Sequence, residues 1–449
     1  MLVPLMLLGV AAAPAAEPPL SLDLERAVDL ALARNPALLA EVERRREVEQ
    51  GIREAKAEAW PQVDLVSSWN LSRNPALLNS PDFDEIIRQF PDFEPGEQEL
   101  WSLSVELRQV LYSSGKVKAG IELAGLVVEV NEARIETARL ATALAAAVDY
   151  YELRAAESAL QTVEIQRRAR RESLAVAEAR YELGEATRLE LLRAQTALAQ
   201  VEPAVARIRG RAAVAKSRLR QSLGLPAGSD FEVRASDVRP SAMPGELLPV
   251  DRLMEIARSR RPELRDLSLQ AEALERQKTV ILADAKPQLD MNGAYGRQAR
   301  LPENLDDPLF DDWRVGVMMS WSLFDGGRRK SQAAQLDSRR DQLRFQLADL
   351  ESRIAFEIEE ARTEAETAGE RFRAAEIAAE TAAEATRIAR DSYQQGVALQ
   401  ADLLDAQEQE IQAELVLIES FYDALIEGAR LRRAVGLLPT EALKPEGGP

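Results

Sequence analysis

The 449 residues contain neither histidine nor cysteine. That removes imidazole and thiolate metal ligands, cysteine nucleophiles and every histidine-assisted hydroxyl or thiol arrangement. Any reaction here would have to run on carboxylates, lysine or tyrosine alone. The carboxylates with the most suggestive spacing are Asp402 and Asp405, three apart and so on one face of a helix that starts after Gly396. Brought together by symmetry such a pair would attract cations. Near a helix N-terminus it could equally do no more than favour the helix dipole, by about 0.3–1 kcal/mol each. At an offset of 212 residues, Glu190 holds the place of Asp402 and Arg193 that of Asp405. Glu190 has a structural reading of its own, because Thr187-Arg-Leu-Glu190 is a capping box. Gly115-Lys116 does not form a phosphate loop, since Val110 stands where that motif needs its first glycine. No catalytic residue, metal site or cofactor is expected.

The offset is general. Leu111 to Gly224 reappears as Leu323 to Gly436: LYSSGK answers LFDGGR, YELGEATRLELLRAQ from Tyr181 answers YQQGVALQADLLDAQ from Tyr393, and SLGLP answers AVGLLP. Upstream, RNPAL at Arg34 answers RRPEL at Arg260, and AWPQVDL at Ala59 answers AKPQLDM at Ala285, with the first copy carrying a longer insertion before Leu111. The chain is a tandem duplication. Each copy reads helix, strand, loop, strand, very long helix, tight turn, long helix, so a pseudo-symmetric architecture is expected.

Net charge is −18 with a pI near 4.8, which leaves no electrostatic footprint for nucleic acid. The opening MLVPLMLLGVAAAPAA is short, apolar and ends in small residues, so residues 1–16 read as a secretory signal. The absence of cysteine argues against a lipidated N-terminus. No later stretch is apolar and long enough to span a bilayer as a helix, so a membrane crossing would have to use β-strands.

Four segments carry the period of two that strands require. They are expected at about 61–72, 100–111, 287–297 and 313–324, each near the ten residues that cross a hydrocarbon core at barrel tilt. Trp101, Leu103, Val105 and Leu107 alternate with Ser102, Ser104, Glu106 and Arg108; Trp313, Val315, Val317, Met319, Trp321 and Leu323 repeat the stripe. All five tryptophans, Trp60, Trp69, Trp101, Trp313 and Trp321, lie in or beside these segments, as a membrane-interface girdle requires. An ordinary sandwich core is the plainer alternative. The intervening loops, Ser72–Glu99 and Arg297–Asp312, read as exposed hairpin connections.

Proline-free runs rich in Ala, Glu, Arg and Leu predict helices at about 114–183 and 326–395, each roughly 100 Å long at 1.5 Å per residue. Gly184 and Gly396 suit left-handed turns after which helices at about 187–222 and 398–435 return. The organisation is then a leader (1–16), a first repeat (17–225), a linker or equatorial segment (226–250), a second repeat (251–439) and a tail (440–449). Four membrane-length strands cannot close a barrel, and open edges are not tolerated in lipid. A homotrimer would close twelve strands and continue them as an α-helical barrel. A purely structural coiled-coil protein of the periplasm is the competing class, and it has no use for the alternating strands.

The duplicated order, the NPAL and PQVDL approaches to the strands, the turns at Tyr181 and Tyr393, the ADLLDAQ run and the terminal GLP together resemble the TolC-like outer-membrane efflux protein family, over about Ser21 to Pro439. The resemblance implies an α+β membrane protein: a trimeric duct in the outer membrane and periplasm, which docks a periplasmic adaptor and an inner-membrane transporter. It implies that Asp402 and Asp405 line a narrow periplasmic constriction, with Glu190 and Arg193 as their first-copy counterparts, and that the tips at Tyr181, Gly184, Tyr393 and Gly396 meet the adaptor. The family's arginine two residues past the second-turn glycine is Ala398 in this chain, so Arg193 is the candidate replacement cation.

Overall fold

The computed structural model describes residues 20–73, 97–234 and 247–443. The expected leader, most of the first interstrand loop, the middle of the linker and residues 444–449 lie outside them. After β1 (Leu20–Leu22), the first repeat consists of α1 (Leu24–Arg34), α2 (Pro36–Ala57), β2 (Gln62–Ser72), β3 (Gln98–Tyr112), α3 (Lys116–Glu182) and α4 (Arg188–Ser222). Then comes β4 (Phe231–Val233). The second repeat consists of α5 (Val250–Arg260), α6 (Pro262–Ala283), β5 (Gln288–Ala299), β6 (Asp311–Ser320), α7 (Arg328–Gln394) and α8 (Gln400–Ala434). Both long helices, α3 and α7, contain 67 residues, and both return helices, α4 and α8, contain 35. No described helix is long and apolar enough to cross a membrane.

Local chemistry sets the boundaries. Asp23 caps α1 by accepting from the Arg26 N–H at 2.8 Å. Asn35 breaks the helix before Pro36, and its Oδ1 accepts from the Ala37 N–H at 2.9 Å to start α2. The chain divides into two compact units, one built from Glu43–Ala133 and Glu263–Asp349, the other from Met1–Val42, Arg134–Pro262 and Leu350–Pro449.

The first unit holds an antiparallel sheet in the order β2-β3-β5-β6. Its register sorts the side chains by type. Val63, Leu65 and Trp69 share a face with Leu107, Val105 and Trp101, with Tyr295 and Met291, and with Trp313, Val315 and Val317. The other face carries Asp64, Ser68, Ser102, Ser104, Glu106, Arg108, Asn292, Arg314 and Ser320. Ser68 and Ser102 bond across β2 and β3 at 2.8 Å, and Arg314 reaches Glu106 at 3.6 Å over the small Ala294 between them. On the apolar face Trp69 and Trp101 are direct neighbours with ring centroids 5.9 Å apart, and Trp313 lies near the loop end of β6. Trp60 and Trp321 flank the opposite ends of β2 and β6. One expectation is corrected: β6 stops at Ser320 instead of continuing to 324. Trp321 has left the ladder and donates its indole Nε1–H to the Ala285 carbonyl at 3.1 Å, and the chain then turns through Asp325, whose carboxylate accepts from the Gly327 N–H at 3.0 Å.

In the second unit, β1 and β4 form a parallel pair, and Phe231 packs with Leu22, Tyr150, Leu153, Leu219 and Leu223. Both repeats close on the same joint. Gly224 (φ +64°) and Gly436 (φ +85°) follow the return helices and press against the helix breaks. A Cβ on Gly224 would lie 2.4 Å from the Arg34 carbonyl oxygen, and one on Gly436 2.8 Å from the Arg260 carbonyl carbon. The joints differ in chemistry. Asn35 donates to the Ser222 carbonyl at 3.1 Å, whereas Arg261, buried, pairs with Glu357 at 2.6 Å and donates to the Arg433 carbonyl at 3.3 Å.

Gly224→Ala and Gly436→Ala should each destabilise the chain by about 1–3 kcal/mol, because both the backbone conformation and the close approach are lost. Gly210→Ala, in open space within α4, should be neutral or stabilising by up to about 1 kcal/mol. Thermal melting of the detergent-purified protein checks the contrast.

Candidate functional site

The two helical turns match bond for bond. Gly184 and Gly396 take φ of +75° and +74°. In the first, Gly184 N–H donates to Tyr181 O at 3.0 Å and Glu185 N–H to Arg180 O at 2.8 Å. In the second, Gly396 N–H donates to Tyr393 O at 3.0 Å and Val397 N–H to Ser392 O at 2.9 Å. These bonds satisfy the carbonyls left over at a helix end. Exposed aliphatic side chains surround both glycines: Leu183 is 74% exposed, Val397 80%, and Leu189 and Leu399 lie open as well.

The helix starts that follow differ. Thr187 Oγ1 accepts from the Glu190 N–H and Glu190 Oε2 accepts from the Thr187 N–H, both at 3.3 Å, a complete capping box. In the second repeat the equivalent of Thr187 is Leu399, which has no side-chain acceptor. Only the return half survives, with Leu399 N–H donating to Asp402 Oδ2 at 3.1 Å. Glu190 and Asp402 are therefore both engaged in starting helices. Arg193 and Asp405, one turn further on, are exposed and line one cavity of about 650 Å³ between α3, α4 and α8. No ion pair joins them. The four residues separate into a capping pair and a cavity pair.

Sequence reasoning missed what holds α3 against α8. Along α3, Ser158, Thr162, Gln166 and Arg170 recur every fourth residue, so they share one face. Thr162, Gln166 and Arg170 are 8%, 9% and 5% exposed. Ser158 Oγ lies 3.4 Å from Tyr422 Oη, Thr162 Oγ1 donates to Glu414 Oε1 at 3.3 Å, and Arg170 Nη1 donates to Gln407 Oε1 at 2.8 Å. Burial lowers the Arg170 guanidinium from its ordinary value, and Glu408 partly offsets this. The signal was present as a polar i, i+4 stripe in an alanine-rich helix. The first hairpin is tied differently, by Arg171–Glu202 at 3.0 Å, Arg209–Glu164 at 2.7 Å and the packed Val163, Val201 and Val205. Further along α8, burial raises the carboxyl pKa of Asp423, with Glu419 adding to the shift and Arg211, Arg371 and Arg430 opposing it. Among the described residues no group of carboxylates could hold a metal ion.

The family model described as outer membrane efflux protein matches residues 27–225 and 253–437. Outer membrane protein OprJ of Pseudomonas aeruginosa is 25% identical over 92% of this chain and 84% of its own length. The alkaline protease secretion protein AprF of the same organism is 24% identical over 63% of this chain, a stretch spanning 59% of AprF. Among solved structures, the Campylobacter jejuni CmeC outer membrane channel aligns with a TM-score of 0.74 at 15% identity, covering 93% of this chain and 87% of that one.

Asp402→Ala, which removes the acceptor of the Leu399 N–H, should loosen the first turn of α8, and Asp405→Ala should not. A half-lost cap is worth about 1 kcal/mol, a several-fold change in opening. Hydrogen exchange over residues 399–403 should accelerate several-fold in the first variant alone.

Proposed function

The chain belongs to the outer membrane efflux protein family, and from that premise we propose that it is the outer-membrane exit duct of a tripartite efflux or secretion system. In this reading three copies close a twelve-stranded barrel in outer-membrane lipid and continue it as an α-helical barrel into the periplasm. Substrates delivered by an inner-membrane transporter through a periplasmic adaptor would pass through passively, without chemistry. The observation that carries the proposal is the sheet: four antiparallel strands with one apolar face, one polar face and, among the described residues, two outer edges, β2 and β6, that have no partner. A structural coiled-coil protein would need none of these.

The same reading gives the turns their roles. The exposed Leu183, Leu189, Val397 and Leu399 beside Gly184, Gly396, Tyr181 and Tyr393 offer an apolar contact to the adaptor. Threefold symmetry would gather Asp402 and Asp405 into stacked carboxylate rings at a periplasmic constriction, selective for cations. Arg193, which has no ion-pair partner among the described residues and has Asp405 across the cavity, would supply the closing ion pair in place of an arginine at Ala398.

Mass measurement in detergent should return a trimer; a stable monomer would sink the proposal. Single cysteines, free of any native background, should react with lipid-soluble reagents at Trp101, Val105 and Val317 and with aqueous ones at Ser104, Glu106 and Ser320. In bilayer recordings, Asp405→Asn should weaken cation preference and block by multivalent cations. Arg193→Ala should raise closed-state conductance. Unchanged selectivity in Asp405→Asn would remove the ring from the proposal.

A further inference from the structure

The cavity between α3, α4 and α8 has the size of a small-molecule site, about 650 Å³. Its walls are about half apolar, with Val163, Leu192, Val201, Leu404, Ile411 and Leu415 forming that part. Arg170 stands at its α3 side, 5% exposed. A guanidinium carries five N–H donors, and this one makes a single hydrogen bond, to the neutral Gln407 amide oxygen. Among the described residues no carboxylate forms an ion pair with it. Glu408 offsets its desolvation only in part, so the guanidinium favours an anionic guest. The charges around the cavity differ by helix: Arg170 and Arg193 come from α3 and α4, Asp405 and Glu408 from α8, with Glu408 acting on Arg170. A guest with an anionic end and a donor end would be oriented by them.

We propose that this cavity binds a small amphipathic carboxylate, with its carboxylate on Arg170 and Arg193, its apolar body between Leu192, Val201, Leu404 and Leu415, and a hydrogen-bond donor at its far end facing Asp405. The guest touches helices of both repeats, so it stabilises this arrangement of α8 against α3 by mass action. Binding does not depend on the duct reading, and a failure of either leaves the other standing.

Indole-3-butyrate is a suitable probe, having an apolar body, one carboxylate and one N–H donor; indole-3-butyramide is its neutral control. Titration calorimetry on the full detergent-purified chain should show saturable binding of the carboxylate, one per chain, and a rise in melting temperature. The amide should bind at least tenfold more weakly. Arg170→Gln, which keeps a hydrogen-bonding side chain against Gln407, should weaken the carboxylate at least tenfold and leave the amide unchanged. Ala197→Phe, which fills the cavity without touching its charges, should abolish both and serves as the independent variant if Arg170→Gln fails to fold. Absence of saturable binding in the unaltered chain overturns the proposal, as does equal affinity for carboxylate and amide, or wild-type binding in Ala197→Phe.

Discussion

A backbone amide facing hydrocarbon must be hydrogen-bonded, and the sheet described above meets that requirement only in its middle. Among the described residues β3 and β5 are paired on both sides, while β2 and β6 each present one open edge. An unpaired backbone group in lipid costs several kcal/mol, so a whole strand edge is beyond anything the protomer's own packing could offset. The register sharpens the constraint. The rung from Leu65 through Val105 and Tyr295 to Trp313 is apolar on one face, and its neighbours at Trp69–Trp101 and Met291–Val317 add to the same face, so any closure must also keep that face outward all the way round. In the proposed assembly, joining the β2 edge of one copy to the β6 edge of the next would do both at once.

The helical unit is held by contacts of two unlike kinds. Around Tyr150, Leu219 and Phe231 the packing is apolar, and each buried large side chain contributes about 1.5–3 kcal/mol. Along the α3–α8 face the contacts are Ser158–Tyr422, Thr162–Glu414 and Arg170–Gln407, hydrogen bonds worth a net 0.5–1.5 kcal/mol each by the usual rough measure. They fix which residue faces which, because a mismatched register would leave buried polar groups unpaired. They add little cohesion beyond that.

Most of the architecture was legible because duplication writes each element twice. The alternation at Trp101–Arg108 and the proline-free runs after Lys116 and Arg328 are signals of local periodicity, and local periodicity survives in a single sequence. What stayed hidden depends on partners distant along the chain. β1 is three residues long and owes its existence to pairing with β4 some two hundred residues later. The end of β6 was overextended because Trp321 and Leu323 continue the alternation, although the Trp321 indole had already been claimed by Ala285. At the turns, sequence reasoning placed Glu190 in a capping box and left Asp402 between ring and dipole. It could not separate the capping pair from the cavity pair, since that division depends on which helix lies opposite.

The unequal starts of α4 and α8 leave a trace of what duplication permits. In the first copy two side chains, Thr187 and Glu190, share one task, so either could drift and the other would still mark where the helix begins. In the second copy a leucine stands at the equivalent position and there is no such redundancy. Asp402 alone now carries the instruction, and any selective pressure on its charge is also pressure on the fold. Asp405 bears no such double burden, which makes it the position of the two where the chain remains free to change what it discriminates without changing its shape.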